Sequence, residues 1–235
     1  MTVAILSILK MLQKKILFMI ALTVEQAKQL ITETEDLIIL DTREAERFAD
    51  GFIPGSIFIG LHDRFEDWAT SILPADFSYL LVTETGKEKD TVNVLKKAGI
   101  TNINGYLKDS FESWEKNAET KDLLIQVDAD ELAMDLPFDE NLLVLDVRTE
   151  TEFAVGHVKD AINMPLKSMA DPGVMAILDE KNNLYVHGKS TYQGVIAASL
   201  LKRQGFHNLR YIGRGWDAIM QEKRIETEKE KSALN

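Results

Sequence analysis

The chain has 235 residues, 45% of them apolar, and a formal net charge of −11. That length is enough for one large domain or two small ones with real cores, and the acidic balance argues against nonspecific nucleic-acid binding, which needs clustered Lys and Arg. The chain contains no cysteine, which excludes disulfides, zinc–thiolate sites and thiolate catalysis. The four histidines, His62, His157, His187 and His207, lie far apart without metal-ligand spacing, so no metal or other cofactor is expected.

Residues 1–22 are strongly apolar, with Ser7, Lys10 and Lys14 on one helical face. Three lysines near its middle make this segment a poor membrane span. It reads as an N-terminal helix or extension packed on the globular part, or as a contact with a membrane surface or a targeting segment. The globular part is expected in the cytoplasm, with membrane association or export through 1–22 as the alternative.

From Thr23 the pattern is globular. Thr23 suits an N-cap for a helix Val24–Ile31. Leu37–Leu40 is a continuous apolar run ending at Asp41, as a strand buried on both faces would be. A short helix Glu44–Ala49, a strand Ile57–Ile59, an amphipathic segment Phe65–Ile72, a strand Tyr79–Val82, a helix Asp90–Lys97, a strand Asn104–Leu107 and a helix around Phe111 and Trp114 follow. A charged stretch, Lys116–Asp122, reads as a linker. The series then repeats: strand Asn141–Leu145, short helix Glu150–Ala154, strand Ala161–Asn163, strand Leu184–Val186, helix Val195–Arg203 and strand Leu209–Ile212, with Trp216 in the last turn region. Asp41 and Asp146, Arg43 and Arg148, Phe48 and Phe153, and Gly51 and Gly156 are each 105 residues apart; Gly99 and Gly205, and Asn102 and Asn208, are 106 apart. A period this long is a duplicated domain. Strands alternating with helices predict an α/β fold, two domains at 23–118 and 127–222, each a mostly parallel sheet flanked by helices. Residues 223–235 read as a charged tail, frayed from Glu226.

The chemistry-bearing stretch is Leu184–Gly194, a strand, a tight loop and a helix start. Backbone N–H groups at such a junction, with the positive end of the helix dipole, favour an anion. The candidate ligand-binding residues are Gly188, Lys189, Ser190, Thr191, Tyr192, Gln193 and Gly194. Ser190 and Thr191 are weak nucleophiles without a positioned base, and no carboxylate near His187 in sequence would make it one. Gly188-Lys189-Ser190-Thr191 resembles the end of a P-loop, but Asn183 stands where that pattern needs its first glycine. Asp41 with Arg43, and Asp146 with Arg148, read as structural ion pairs at strand ends, and His157 as a structural loop residue.

Two signatures carry a family resemblance. The first is Leu40-Asp41-Thr42-Arg43, Glu46, Phe48 and Gly51–Ile57; the second is Leu145-Asp146-Val147-Arg148, Glu152, Phe153 and Gly156–Pro165. They resemble the rhodanese family, in tandem, whose pattern runs Asp-x-Arg, Glu-aromatic, Gly-His-Ile-x-Gly-Ala-x-Asn-Ile-Pro. Gly51–Leu61, Leu81–Gly86, Gly105–Lys108 and Val195–Leu201 are similar to the two rhodanese-like domains that follow a metallo-β-lactamase-fold domain in some bacterial metallohydrolases. The resemblance implies sulfur transfer by a loop cysteine that forms a persulfide, with loop N–H groups holding the donor anion. Carried over, that cysteine falls on Gly188, the usual loop arginine on Gln193 and the usual serine on Gly194. The first copy offers Thr83–Lys87, about one residue shorter, with Glu84 in the loop. A catalytically inactive binding, regulatory or interaction module linked to sulfur or thiol metabolism is therefore expected. Gly188 is expected to leave room where the sulfur would be, and the partners implied are a small anion and a metallo-β-lactamase-fold hydrolase. The alternatives are a sulfurtransferase- or phosphatase-like enzyme using other residues, and a structural subunit of a separately encoded metallohydrolase.

Overall fold

The computed structural model of the chain describes residues 19–62 and 64–230. The apolar segment 1–18 and residues 231–235, on which the N-terminal helix and the end of the tail were expected, lie outside the described residues. In chain order the first half runs β1 (Ala21–Leu22), α1 (Val24–Glu33), β2 (Leu37–Asp41), α2 (Ala45–Asp50), β3 (Ile57–Phe58), α3 (Phe65–Ile72), β4 (Ser78–Val82), α4 (Glu88–Lys97), β5 (Ile103–Leu107) and α5 (Ser110–Lys116). The second half runs β6 (Ile125–Val127), α6 (Ala129–Asp135), β7 (Leu142–Asp146), α7 (Glu150–Val155), β8 (His157–Val158), β9 (Ile162–Asn163), two 3-10 turns at Ser168–Ala170 and Pro172–Ile177, β10 (Asn183–His187), α8 (Thr191–Arg203), β11 (Leu209–Ile212), α9 (Trp216–Gln221) and β12 (Thr227–Glu228).

Each half is a five-stranded parallel sheet, in the orders β1-β5-β4-β2-β3 and β6-β11-β10-β7-β9. The central strands are the continuous apolar runs, as a sheet covered on both faces requires. Leu37–Asp41 is buried at every position. Helix starts follow local capping: Thr23 with Gln26 and Thr149 with Glu152 form reciprocal capping boxes.

Three pairings lie beyond the expected domain bounds. Ala21 and Leu22 are not part of an extension; they add to the sheet edge beside Tyr106 and Leu107. Ile125–Val127, just ahead of the expected second domain, adds an edge strand beside β11. The tail is not free from Glu226: Thr227 and Glu228 pair antiparallel with Val158 and His157, and Ile225 is buried. Two-residue strands and tail pairings carry too little periodicity to be read from sequence.

The halves share the largest of three buried apolar clusters, and the other two lie one in each half. Ile38, Leu40, Phe48, Ile57 and Phe58 of the first half belong to the same buried cluster as Leu184, Val195, Ile196, Leu200 and Leu201 of the second. Helix α8 lies between them, buried at every residue from Gly194 to Leu201. A helix apolar on all sides is one covered on all sides: one face packs on its own sheet and the other on β3 and α2. Its partner helix α4 in the first half buries only Thr91, Val92 and Leu95. Strand β3 is an edge strand, and α8 covers it: the Phe58 N–H donates to Ser199 Oγ at 3.0 Å. Among the described residues no helix is long and apolar enough to cross a membrane.

Candidate functional site

Strand β10 runs between β7 and β11 and ends at His187; Gly188–Ser190 follow, then the first turn of α8. The Lys189 N–H does not face an open cradle. It donates to Gln193 Oε1 at 2.7 Å. A Cβ added at Gly188 would stand 2.5 Å from Gln193 Cβ and 2.9 Å from Gln193 Oε1. The space expected at Gly188 is thus filled by Gln193, and the loop closes on itself. On its other side the Gly188 carbonyl accepts from the Trp216 N–H at 2.9 Å. Gly215 makes this approach with φ +56°, where a Cβ would lie 2.4 Å from that carbonyl oxygen; only glycine fits both demands.

Beneath the loop is a buried support. The Arg148 Nε donates to Asp146 Oδ1 at 2.9 Å and to Oδ2 at 3.0 Å, and Nη2 reaches both Oδ2 and, at 2.7 Å, the Gly156 carbonyl. Trp216 lies over the guanidinium, 3.9 Å from Arg148 Cζ to its ring centroid. His187 is fully buried against Trp216, its ring 5.8 Å from that indole. Its Nε2 stands 3.6 Å from Asp146 Oδ2, and that nitrogen has no hydrogen-bond partner. Burial pulls the His187 pKa down to about 4; Asp146 opposes this and Arg148 adds to it. The imidazole is neutral at pH 7, and Asp146 is already engaged by Arg148. The carboxylate that sequence reasoning did not find near His187 comes from sheet register, which sets His187 opposite Asp146.

The first half repeats the ion pair and not the histidine. Arg43 Nε donates to Asp41 at 3.0 Å, and Nη2 to Asp41 Oδ2 and to the Gly51 carbonyl, each at 2.7 Å. Phe111 takes the place of Trp216, 4.4 Å from Arg43 Cζ. Burial pushes the Asp41 carboxyl up, and the Arg43 charge pulls it back. Opposite Asp41 stands Val82. The stretch from strand end to closing glycine is one residue shorter in the first half, Val82 to Gly99 against His187 to Gly205, and its non-helical part is 83–87 against 188–190 because α4 starts two residues later after its strand than α8 does. Glu84 there is engaged by Arg47, which also reaches Glu112. His157 places Nδ1 2.8 Å from the Phe153 carbonyl and stacks on the Phe153 ring at 3.7 Å, with Nε2 3.6 Å from Glu228.

A cleft of about 730 Å³ opens between the halves at the N-terminal end of α8. Of the seven candidate ligand-binding residues, Lys189, Ser190, Thr191 and Tyr192 line it. Gly188, Gln193 and Gly194 do not: the first two pack on each other, and Gly194 is buried near Tyr211. The Tyr192 hydroxyl donates to the Gly60 carbonyl at 3.0 Å, and burial raises its pKa above the ordinary phenol value. Thr191 Oγ1 accepts from the Arg214 N–H at 3.0 Å. The opposite wall is Arg43, Glu44, Glu46, Phe58 and His62, and Arg214, Asp217 and Gln221 close the floor. Sequence reasoning placed none of these beside the loop, and Arg43 only in its ion pair with Asp41, because only the docking of two halves brings them together. The cleft lining carries both charge signs: Arg43, Lys189 and Arg214 against Glu44, Glu46 and Asp217.

The family model for the rhodanese-like domain matches the chain twice, at residues 23–117 and 128–222. The chain belongs to the rhodanese-like family. Curated proteins give no match. Among solved structures, the rhodanese-like domain of the Anabaena Alr3790 protein is 26% identical, with 47% of this chain and 83% of that one covered and a TM-score of 0.41. The Pseudomonas aeruginosa thiosulfate sulfurtransferase is 15% identical, with 90% of this chain and 44% of that one covered and a TM-score of 0.40. The 3-mercaptopyruvate sulfotransferase SseA of Escherichia coli is 15% identical, with 85% and 99% covered and a TM-score of 0.38.

Proposed function

We propose that this tandem rhodanese-like chain is a non-catalytic module that binds a small anionic ligand in the interdomain cleft and acts in regulation or partner binding within sulfur or thiol metabolism. One observation carries the reading. The loop that would hold a sulfur nucleophile begins at Gly188, and Gln193 fills the space a side chain there would need, in a chain without cysteine. No persulfide can form on the chain. Lys189 and Arg214 supply positive charge beside the first turn of α8, while Glu44, Glu46 and Asp217 line the same cleft. That mixture favours a ligand of low net charge, or one carrying both signs, over a polyanion.

Thermal unfolding against thiosulfate, sulfate, phosphate and glutathione tests this. A ligand at a hundred times its dissociation constant adds about 2.7 kcal/mol, a midpoint shift of roughly 5–10 °C for a chain of this size. A selective shift that Lys189→Ala removes supports the reading. No selective shift from any of the four overturns the binding role. Sulfur transfer from thiosulfate to cyanide is expected at background, and turnover above it overturns the non-catalytic assignment.

A further inference from the structure

A second cavity, about 440 Å³, lies between the halves at the C-terminal end of α8, remote from the cleft at the other end of the helix. Its walls are apolar: Ile57, Ile72 and Phe77 from the first half, Met169, Met175 and Leu200 from the second. One cation enters it. Arg203, in the last turn of α8, donates from Nη1 to the Gly55 carbonyl at 2.8 Å and from Nη2 to the Leu37 carbonyl at 3.2 Å. No carboxylate of the described residues pairs with it, although eleven other arginines and lysines of the described residues do form ion pairs with carboxylates. A guanidinium has five N–H donors, so two carbonyls leave both charge and donors uncompensated. Partial burial works against that charge and lowers the Arg203 pKa from its ordinary value. An anion with an apolar body answers both features, since such pockets take ligands of this size through apolar walls and a few placed polar groups. The two methionines give a wall that adapts to chain shape.

We propose that this cavity is a binding site for a small amphiphilic carboxylate, whose hydrocarbon part fills the space between Ile72, Phe77 and Met175 and whose carboxylate pairs with Arg203. The site is separate from the cleft and does not depend on what the cleft binds.

Calorimetric titration of the full chain with octanoate, octanol and acetate tests it. Octanoate binds saturably, and octanol and acetate, which each lack one of the two features, bind at least about tenfold more weakly. Arg203→Gln weakens octanoate by roughly tenfold or more and leaves octanol unchanged. Ala170 lines the cavity and is exposed, so Ala170→Trp adds an indole at the cavity wall and abolishes octanoate binding. Lys189→Ala, in the cleft, leaves octanoate binding unchanged. Absence of saturable octanoate binding to the folded chain overturns the proposal. So does binding that survives Ala170→Trp, or that is equally strong in Arg203→Gln.

Discussion

At the scale of single residues, the loop is defined by what fills it. Gly188 and Gln193 occupy one space, so Gly188→Cys is not a simple restoration of a nucleophile. Overpacking of this kind costs roughly 1–3 kcal/mol, and the variant is expected to be less stable and still without sulfur transfer. Gln193→Gly relieves the contact, so the double variant is expected to lose less stability than the two single changes add up to. Urea unfolding of the four proteins reads that coupling. His187 makes a second prediction. Its folded pKa of about 4 lies below the ordinary 6.5. Between those values the unfolded chain binds a proton that the folded chain does not. Stability is therefore lost as pH falls from about 6.5 towards 4, by about 3 kcal/mol from this residue alone. His187→Val, which copies Val82 at the matching register of the first half, is expected to flatten the fall of Tm across that window. An unchanged slope would mean that the histidine is not buried neutral.

At the scale of elements, α8 decides the arrangement. Its Ser199 Oγ accepts from the Phe58 N–H and donates to the Ile196 carbonyl at 2.7 Å. Ser199→Ala leaves the Phe58 donor buried at a sheet edge without a partner, a loss of about 1–3 kcal/mol. Chemical denaturation measures it, and a change below 0.5 kcal/mol would mean that water replaces the hydroxyl. The body of this helix, Val195–Arg203, was legible beforehand from its apolar spacing. Its first turn was not legible. The sequence reading started the helix at Val195, but Thr191–Gly194 also adopts helical conformation, because Tyr192 and Thr191 are held by Gly60 and Arg214 of other segments.

At the scale of the whole molecule, the largest of three buried apolar clusters spans the two halves, and each half adds one of its own. The chain is expected to unfold in one cooperative transition, by calorimetry as well as by circular dichroism. Each half expressed alone exposes one side of that core, Ile57 and Phe58 in one case and the outer face of α8 in the other, and is expected to bind a hydrophobic dye and to lose its sharp transition. Two separated transitions in the full chain would contradict a shared core. The interdomain cleft and the apolar cavity are both products of this docking, since each takes its walls from both halves.

The duplication, the α/β class, the order of the longer elements and the absence of a thiol nucleophile are all written in the order of residues along the chain. These rest on local periodicity, on repeated motifs and on composition, all of which are properties of the chain read along its length. The Asp41–Arg43 and Asp146–Arg148 pairs also lie two residues apart, so their partners are visible in sequence. Folding is what puts Gln193 in the loop, Asp146 opposite His187, the tail beside β8, and Arg203 at an apolar cavity with no carboxylate partner among the described residues. Each of those depends on sheet register or on the docking of two halves. Such contacts join residues far apart in the chain, and no local pattern of residue types encodes them.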